Sequence, residues 1–471
     1  MTHIETDYLV IGAGAVGLAF ADTLLTETNA HITIIDRHGK PGGHWNDAYP
    51  FVALHQPSAF YGVNSMPLGS NRKDTFGANE GCYELASGAE VTSYFDKVMH
   101  QTLLPSGRVS YHPMCDYLGS SEDGGKFVSI LSGQETSVTV RKKTVDATYY
   151  GTTVPTTHTP KYKVADDAWL VTPTGLAQLW QSKQKKPKHF TIIGAGKTAM
   201  DVGVWLINSG AEPDSISWVM PRDSWLINRL TTQPGMEFFE HAIGSQAMQM
   251  EAFANATSVD DLFQRLEACD AMLRIDPDHK PSMFHYATMS KGEIDVLRKI
   301  KNVIRLGHVL AVKRDGLQLA QGDVALAPDT VCIDCTASAV EKRPSLPIFQ
   351  GNKLTLQLVR MPLATFSAAL VAYVEAHYDD DATKNKLCTP VPFPDGLGSY
   401  PRSTLVCMMN QFAWGQDKRL RAWIHNSRLD GFGKIIAAVD ATDGEKMAIL
   451  EKFKVNAKAA IANLPKLMTA A

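Results

Sequence analysis

The sequence lacks the features that would direct a protein to a membrane, a secretory route or nucleic acid. No apolar run reaches the roughly 18 residues that a spanning helix needs, and the start, MTHIETDYLV, carries an acidic residue where a signal peptide would be apolar. The formal net charge is -3, and no dense Lys/Arg block with interleaved aromatic residues is present. We therefore expect a cytoplasmic protein with no transmembrane segment and no nucleic-acid partner.

Cysteine is also scarce, with seven residues in a chain of 471. An odd number spread over this length does not indicate a disulfide framework. One CxxC is present, formed by Cys332 and Cys335 in the stretch DTVCIDCTAS. A redox CxxC usually begins a helix, whose N-terminus lowers a thiol pKa, whereas this pair lies in an apolar run typical of a buried strand. We predict a structural role for both cysteines, and the sequence predicts no metal site.

The overall composition is that of an ordinary globular protein, with 44% apolar and 20% charged residues. The length exceeds that of one hydrophobic core, so two or three domains are expected.

The first 36 residues contain the pattern strand, glycine turn, helix, strand and acid. An apolar run from Tyr8 to Ile11 meets the turn GAGAVG, and a second β-branched run ends in Asp36. In a dinucleotide-binding fold, Gly12 would permit the tight turn, Gly14 would let a pyrophosphate approach the backbone, and Gly17 would let helix and strand pack closely. Free amides at the helix N-terminus would then bind the phosphates, and Asp36 would bind the ribose hydroxyls.

The same pattern occurs again in residues 189 to 222, with one difference in charge. The stretch HFTIIGAGKTAMD places Gly194, Gly196 and Ala199 in a second turn, and the next strand is followed by Arg222 instead of an acid. An arginine there can accept a 2′-phosphate. The first site therefore suits the AMP moiety of FAD and the second suits NADPH, although a surface role for Arg222 stays open.

A segment rich in proline, glycine and aromatic residues follows Asp36. Pro41, Gly42 and Gly43 form another turn, and the aromatic residues after it are suited to lie against a large flat ligand. The alternative is that they pack a core of their own. These aromatic residues are Trp45, Tyr49, Phe51, Phe60 and Tyr61.

The fold class predicted from these patterns is α/β, with two Rossmann-like dinucleotide-binding domains. We expect residues 1–160 and 329–471 to form the FAD-binding domain and 161–328 to form the NADPH-binding domain. A helical insertion is predicted at about 225–290, where a substrate lid or a surface for a homo-oligomer would be located. A C-terminal helix is predicted from Gly444 to Leu467.

Two nucleotide sites in one chain imply hydride transfer from nicotinamide to flavin, and the electrons then need an acceptor. A disulfide acceptor would require a cysteine pair near the flavin, but no cysteine occurs between Asp36 and Cys82. A protein carrier would require a docking surface that sequence does not reveal. Dioxygen is the third acceptor, giving a flavin hydroperoxide that inserts one oxygen atom into a small-molecule substrate.

The succession GAGAVG, GGHW and GAGKTA with a downstream arginine resembles the flavin-containing monooxygenases and the related Baeyer–Villiger and N-hydroxylating enzymes. The resemblance covers residues 5–62, 145–225 and 329–338. It implies that FAD is bound by Gly12, Gly14, Ala15, Val16, Gly17, Asp36, Arg37, Gly43, His44, Trp45, His55, Gln56 and Cys115. It implies that NADPH is bound by Gly194, Gly196, Lys197, Thr198, Ala199 and Arg222.

The chain departs from this family at two places. The stretch VADDAWLVTPTGL has no histidine where the family fingerprint has one, and His55 and Gln56 stand where many members have an asparagine. Gln56 would hydrogen-bond the distal oxygen of the hydroperoxide and His55 would donate a proton, so these two are the predicted catalytic residues. The alternative for His55 is a packed or capping histidine.

The leading functional hypothesis is an FAD- and NADPH-dependent monooxygenase that oxygenates nitrogen, sulfur or a carbonyl carbon of a small or medium organic molecule. One alternative is an NADPH-dependent flavin oxidoreductase that passes electrons to a carrier or a small substrate without oxygen insertion. Another is a nucleotide-binding scaffold without turnover.

Overall fold

The computed structural model describes residues 2–121, 124–182, 186–338 and 340–469. In chain order the strands are β1 (Thr2–Ile11), β2 (Ile32–Ile35), β3 (Val109–His112), β4 (Cys115–Ser121), β5 (Gly124–Ser129), β6 (Glu135–Asp146), β7 (Lys163–Val164), β8 (Leu170–Val171), β9 (His189–Ile193), β10 (Ile216–Val219), β11 (Ser224–Asn228), β12 (Met272–Leu273), β13 (Met283–Met289), β14 (Asn302–Ile304), β15 (Val309–Val312), β16 (Gly316–Leu319), β17 (Gly322–Ala325), β18 (Thr330–Asp334), β19 (Phe349–Gln350) and β20 (Lys353–Thr355).

The helices connect these strands and complete the C-terminal third. They are α1 (Ala15–Glu27), α2 (Gly88–Lys97), α3 (Pro173–Leu179), α4 (Lys197–Asn208), α5 (Ser245–Asn255), α6 (Val259–Ala268), α7 (Lys291–Leu297), α8 (Ala364–His377), α9 (Asp381–Leu387), α10 (Tyr400–Gln416), α11 (Lys418–Asn426), α12 (Gly433–Ala437) and α13 (Gly444–Thr469). Among the residues described, no helix is both long enough and apolar enough to cross a bilayer.

The first sheet is the first predicted nucleotide-binding unit. Its order is β19-β20-β6-β1-β2-β3, and β1 pairs in parallel with both β2 and β6. The apolar end of β1 is buried because α1 and α8 pack against this sheet. The antiparallel strands β4 and β5 extend it from β6. The predicted order of strand, turn, helix and strand is confirmed here.

The second sheet has the order β14-β10-β9-β18-β8 and is parallel throughout. Strand β18 pairs with β9 from Thr330 to Asp334, so it lies in this sheet and not in the first. The predicted return to the first domain at residue 329 is therefore too early. All five residues of β18 are buried, because a central parallel strand is covered on both faces, and the chain rejoins the first sheet only at β19 and β20.

The pair Cys332 and Cys335 is buried, as predicted. Cys332 lies within β18, Cys335 follows the strand, and both are free thiols. Burial raises the pKa of Cys332 to about 12 and that of Cys335 well above its usual range. Neither is therefore a thiolate at neutral pH.

The segment predicted as a helical insertion is only partly helical. Besides α5 and α6 it contains β11, β12 and β13, which form a separate three-stranded sheet. The periodicity of residues 225–290 did not predict this sheet because β11 pairs with strands that lie more than forty residues further along the chain. The predicted C-terminal helix is confirmed as α13, which packs along α5.

Candidate active site

The first glycine turn has the geometry that a dinucleotide pyrophosphate requires. Gly12 adopts φ +103°, and a Cβ on Gly17 would overlap the carbonyl oxygen of Gly12. Helix α1 begins at Ala15 after Gly14, with no side chain capping its first amides. The amides of Ala15, Val16 and Gly17 therefore have no side-chain cap that a phosphate would need to displace.

Asp36 lies directly after β2 and faces the first turn. Its carboxylate accepts hydrogen bonds from the amide of Ala13 (2.5 Å) and the amide of His38 (2.7 Å). The Cys115 amide donates to the Asp36 carbonyl (2.9 Å), so Cys115 lies beside the predicted ribose site. Arg37 points outward and pairs with Asp116 at 2.7 Å.

His38 joins two carboxylates at this site. Its Nδ1 is 2.9 Å from Asp36 Oδ1 and its Nε2 is 2.7 Å from Asp47 Oδ2. These carboxylates raise the pKa of His38 to about 9, the larger contribution coming from Asp36. At neutral pH a protonated imidazole therefore connects Asp36 to Asp47 in the short 3-10 helix Gly43–Asp47. The sequence did not reveal this bridge.

The GGHW turn packs directly on the first glycine turn. The Gly42 amide donates to the carbonyl of Ala13 (2.9 Å), and a Cβ on Gly43 would come within 2.9 Å of the Gly14 Cα. The two turns can approach only because neither has a side chain there.

Three rings in and after this turn, those of His44, Trp45 and Tyr61, form an aromatic wall of the cleft. His44 stacks on Trp45 with ring centres 5.4 Å apart, and the Trp45 indole donates to the Tyr61 hydroxyl (2.8 Å). Burial lowers the pKa of His44 to about 4, so its ring is neutral at neutral pH. A flat neutral surface of this kind suits the face of a large ring system.

The second glycine turn repeats the geometry of the first. Gly194 adopts φ +128°, and a Cβ there would lie 2.6 Å from the Cys335 carbonyl oxygen. Helix α4 begins at Lys197 after Gly196, with no side-chain cap and open space around the Gly196 Cα. Ala199 is fully buried, whereas Thr198 faces the adjoining cleft.

Lys197 is engaged within the chain. Its ammonium pairs with Asp201 one turn later in α4, and Asp201 also accepts a hydrogen bond from the Tyr49 hydroxyl (2.7 Å). Phe51 stacks on Trp205 with ring centres 4.7 Å apart. These contacts pack the segment after the first glycine turn against α4 of the second unit.

Arg222 follows β10 and has an exposed side chain. Within the part of the chain that the structure describes, its guanidinium has no hydrogen bond or ion pair. Desolvation and the positive charges of Arg222 and Lys342 lower the pKa of His285, which places His285 close to this arginine. Arg222 lines the same cleft as the second glycine turn, and its contact with a 2′-phosphate stays a prediction.

A single cleft of about 2030 Å³ connects the two units. It brings together predicted residues from both: His44, Trp45, His55, Gln56, Gly194, Gly196, Lys197, Thr198 and Arg222. The remaining predicted residues belong to the first turn and its surroundings and do not line the cleft: Gly12, Gly14, Ala15, Val16, Gly17, Asp36, Arg37, Gly43 and Cys115, together with buried Ala199.

His55 and Gln56 both line the cleft. Burial and the charges of Lys197 and Arg229 lower the pKa of His55 well below its usual range. A neutral imidazole can accept a proton or share a hydrogen bond, but it is not a reservoir of imidazolium protons at neutral pH. The Gln56 amide nitrogen donates weakly to the Phe60 carbonyl (3.4 Å), which leaves the other hydrogen-bonding positions of the amide available.

The structure also adds cleft residues that sequence analysis did not identify. His158 lines the cleft, with its Nε2 3.1 Å from the Thr336 hydroxyl, and Tyr286 enters from β13. No local motif marks either residue, because Tyr286 is positioned by strand pairing and His158 by a loop that contacts Thr336. Asp417, Arg421 and His425 recur every four residues in the sequence, but Asp417 caps α11 and none of the three lines the cleft.

The fold has two sheets with parallel central strands, each with a glycine turn of the kind found in dinucleotide-binding domains. Residues 10–68 match the NAD(P)-binding Rossmann-like domain family. The chain belongs to the same family as two proteins that are each named as an uncharacterized protein, one from Mycobacterium tuberculosis and one from Mycobacterium bovis. It is 44% identical to each over 468 residues, which covers 99% of this chain and 85% of the relative.

Solved structures share the fold at low sequence identity. An open crystal structure of cyclohexanone monooxygenase matches with a TM-score of 0.51 and 13% identity, covering 88% of this chain and 99% of the other. A cyclohexanone-bound structure of cyclohexanone monooxygenase matches with a TM-score of 0.51 and 12% identity, covering 88% and 98%. The resemblance that the sequence motifs indicated is thus confirmed for the fold.

Proposed function

We propose that this protein is an FAD- and NADPH-dependent monooxygenase that acts on a small or medium organic molecule. The observation that carries the proposal is the single cleft that joins the second glycine turn and Arg222 to the aromatic wall of His44 and Trp45. A nicotinamide nucleotide on the second turn and a flavin along this wall would share one enclosed space, as hydride transfer requires.

The residues at both turns fit these cofactors. The first turn presents uncapped amides beside an acid, and the second presents uncapped amides beside a free arginine. When bound, FAD supplies the redox and oxygen chemistry, while the protein supplies binding, orientation and exclusion of water. Arg222 would hold the 2′-phosphate, and α4 would hold the pyrophosphate.

His55 and Gln56 would act at the reacting end of the cleft. A neutral His55 would accept a hydrogen bond or a proton there, and Gln56 would orient a polar atom through its amide. Both roles follow from their place in the cleft wall and from the lowered pKa of His55.

The cysteines of the cleft favour oxygen over a disulfide as electron acceptor. Cys335 and Cys407 line it, but burial raises the pKa of Cys335 well above its usual range and that of Cys407 to about 11. Because the thiolate is the reactive form, neither thiol is suited to dithiol exchange at neutral pH.

Labelled dioxygen tests this proposal. The FAD-loaded protein is given NADPH, ¹⁸O₂ and, separately, an organic sulfide, a tertiary amine and a cyclic ketone. We expect labelled oxygen in the product of at least one probe, detected by mass spectrometry. NADPH oxidation with no label in any product would favour the flavin oxidoreductase without oxygen insertion, and failure to bind FAD would favour the scaffold.

A further inference from the structure

Strand β13 is interrupted by a bulge in the wall of the cleft. Trp225 of β11 is paired with Phe284, and Ile227 is paired with Thr288. Between these two pairs β11 advances by two residues and β13 by four. His285, Tyr286 and Ala287 of β13 therefore lie opposite a single residue of β11. Bulges next to active sites redirect side chains, and all three of these residues line the cleft.

Tyr286 has an unusual backbone conformation in this bulge. Its φ is +57°, in the left-handed region that bulky residues rarely adopt. Such a conformation is unfavourable and persists only where the surroundings impose it, which is frequent at ligand sites. The bulge places Tyr286 in the wall of the cleft.

Around Tyr286 the cleft has an apolar region that we call the aromatic lobe, formed by Met250, Phe253, Tyr286, Phe393, Tyr400 and Met408. The Tyr286 ring centre is 6.0 Å from that of Phe393 and 6.1 Å from that of Tyr400. Phe253 lies 5.9 Å from Tyr400. None of the six side chains carries a charge, so the lobe suits an uncharged ring system.

The hydroxyl of Tyr286 is the unused polar group of this lobe. It has no hydrogen-bond partner among the residues that the structure describes. Burial raises the pKa of Tyr286 well above its usual range, so the hydroxyl keeps its proton and remains a donor. Because Tyr286 lines the cleft, a ligand bound there can supply an acceptor for this hydroxyl.

We propose that the aromatic lobe binds the substrate, an uncharged aromatic or fused-ring molecule with one hydrogen-bond acceptor, and that Tyr286 determines specificity by donating its hydroxyl proton to that acceptor. This inference rests on the proposed function, because it names the substrate class of the same cleft. His285, the neighbour of Tyr286 in the bulge, lies near Arg222, so one bulge connects the nucleotide end of the cleft to the lobe.

Binding of matched probes tests the inference without turnover. The FAD-loaded protein, with no NADPH, is dialysed to equilibrium against 2-acetylnaphthalene, 2-isopropenylnaphthalene or 2-naphthoate. The first two have the same shape and differ in the acceptor oxygen, and the third carries a charge. We expect the ketone to bind about 3- to 10-fold more tightly than the alkene, the usual effect of one neutral hydrogen bond. The carboxylate should bind at least about 10-fold more weakly than the ketone.

Substitutions test whether the preference for the ketone over the alkene arises in the aromatic lobe. Tyr286→Phe should abolish the preference for the ketone and leave alkene binding within about two-fold. Phe393→Ala should weaken the ketone and the alkene equally, because it removes wall area and no donor. The control is Tyr378→Phe, which loses a hydroxyl bonded to Asp417 (2.7 Å) outside the cleft and should keep the preference.

The inference is overturned if Tyr286→Phe keeps the preference, if the wild-type protein binds ketone and alkene equally or binds neither, or if the carboxylate binds as tightly as the ketone. These outcomes are independent of the labelling experiment. Binding as expected without labelled product would contradict the monooxygenase and leave the lobe supported. Labelled product with unchanged binding by Tyr286→Phe would contradict only the lobe.

Discussion

In the proposed function, Arg222 is the residue that selects NADPH over NADH, and its exposed guanidinium has no partner among the described residues. We expect Arg222→Ala to weaken NADPH binding by about 1 to 3 kcal/mol, the range for a charge-assisted hydrogen bond. NADH, which has no 2′-phosphate, should bind within about two-fold of wild type. Titration calorimetry with both nucleotides measures the difference.

The control for Arg222 is Arg265→Ala on α6, whose guanidinium pairs with Asp261 at 3.0 Å on the surface. It should change neither affinity. Equal losses of affinity for NADPH and NADH in Arg222→Ala would show that the arginine does not bind the 2′-phosphate.

The raised pKa of His38 predicts that the stability of the folded protein depends on pH. Its pKa is raised to about 9 in the folded protein and is about 6.5 in the unfolded chain, so the fold favours the protonated ring. This contribution is complete below about pH 6.5 and is lost as the pH rises through about 9. The free energy of unfolding of wild type should exceed that of His38→Gln by about 1 to 3 kcal/mol at low pH and converge with it above pH 9.

Urea denaturation at several pH values measures this difference. His100→Gln replaces a half-exposed histidine on another surface, and its difference from wild type should not follow the same curve. A constant gap between wild type and His38→Gln across the range would mean that the Asp36–His38–Asp47 bridge is not charged as described.

Among the elements, substitutions in the two glycine turns distinguish an effect on packing from an effect on nucleotide binding. A Cβ on Gly17 would overlap the Gly12 carbonyl, so Gly17→Ala should lower the unfolding midpoint and abolish FAD binding. Nothing lies near a Cβ on Gly196, so Gly196→Ala should leave the unfolding midpoint unchanged. It should nevertheless weaken NADPH binding at least about 10-fold, because the pyrophosphate must approach the backbone there.

Thermal unfolding and nucleotide titration of the same preparations distinguish these effects. Gly415→Ala in α10 is the matched control, since its Cβ would also meet nothing and a helical alanine is favoured by up to about 1 kcal/mol. It should keep both affinities. Normal NADPH binding by Gly196→Ala would show that the second turn does not hold the pyrophosphate.

On the scale of the whole molecule, the cleft is built from segments far apart in sequence. Tyr49 and Phe51 of the first unit contact Asp201 and Trp205 on α4. The C-terminal helix α13 supports the opposite side, where the Asn463 amide donates to the carbonyls of Phe253 (3.0 Å) and Ala256 (2.8 Å) at the end of α5. These contacts hold the aromatic lobe and the second glycine turn in the wall of one cleft.

The sequence alone determined the features that depend on neighbouring residues. Both glycine turns, their flanking strands and helices, the buried CxxC and the helix α13 follow from local steric requirements and periodicity. The contrast between Asp36 and Arg222 was equally visible, because each follows the strand next to its turn.

Only the tertiary structure decided which distant segments meet. It placed β18 in the second sheet, built β11–β13 within the supposed helical block, and joined Asp36 to Asp47 through His38. It also turned Tyr286 into the cleft through a bulge that is defined by pairing with another strand. Such features depend on strand register and on packing between residues far apart in the chain, and no local pattern encodes those contacts.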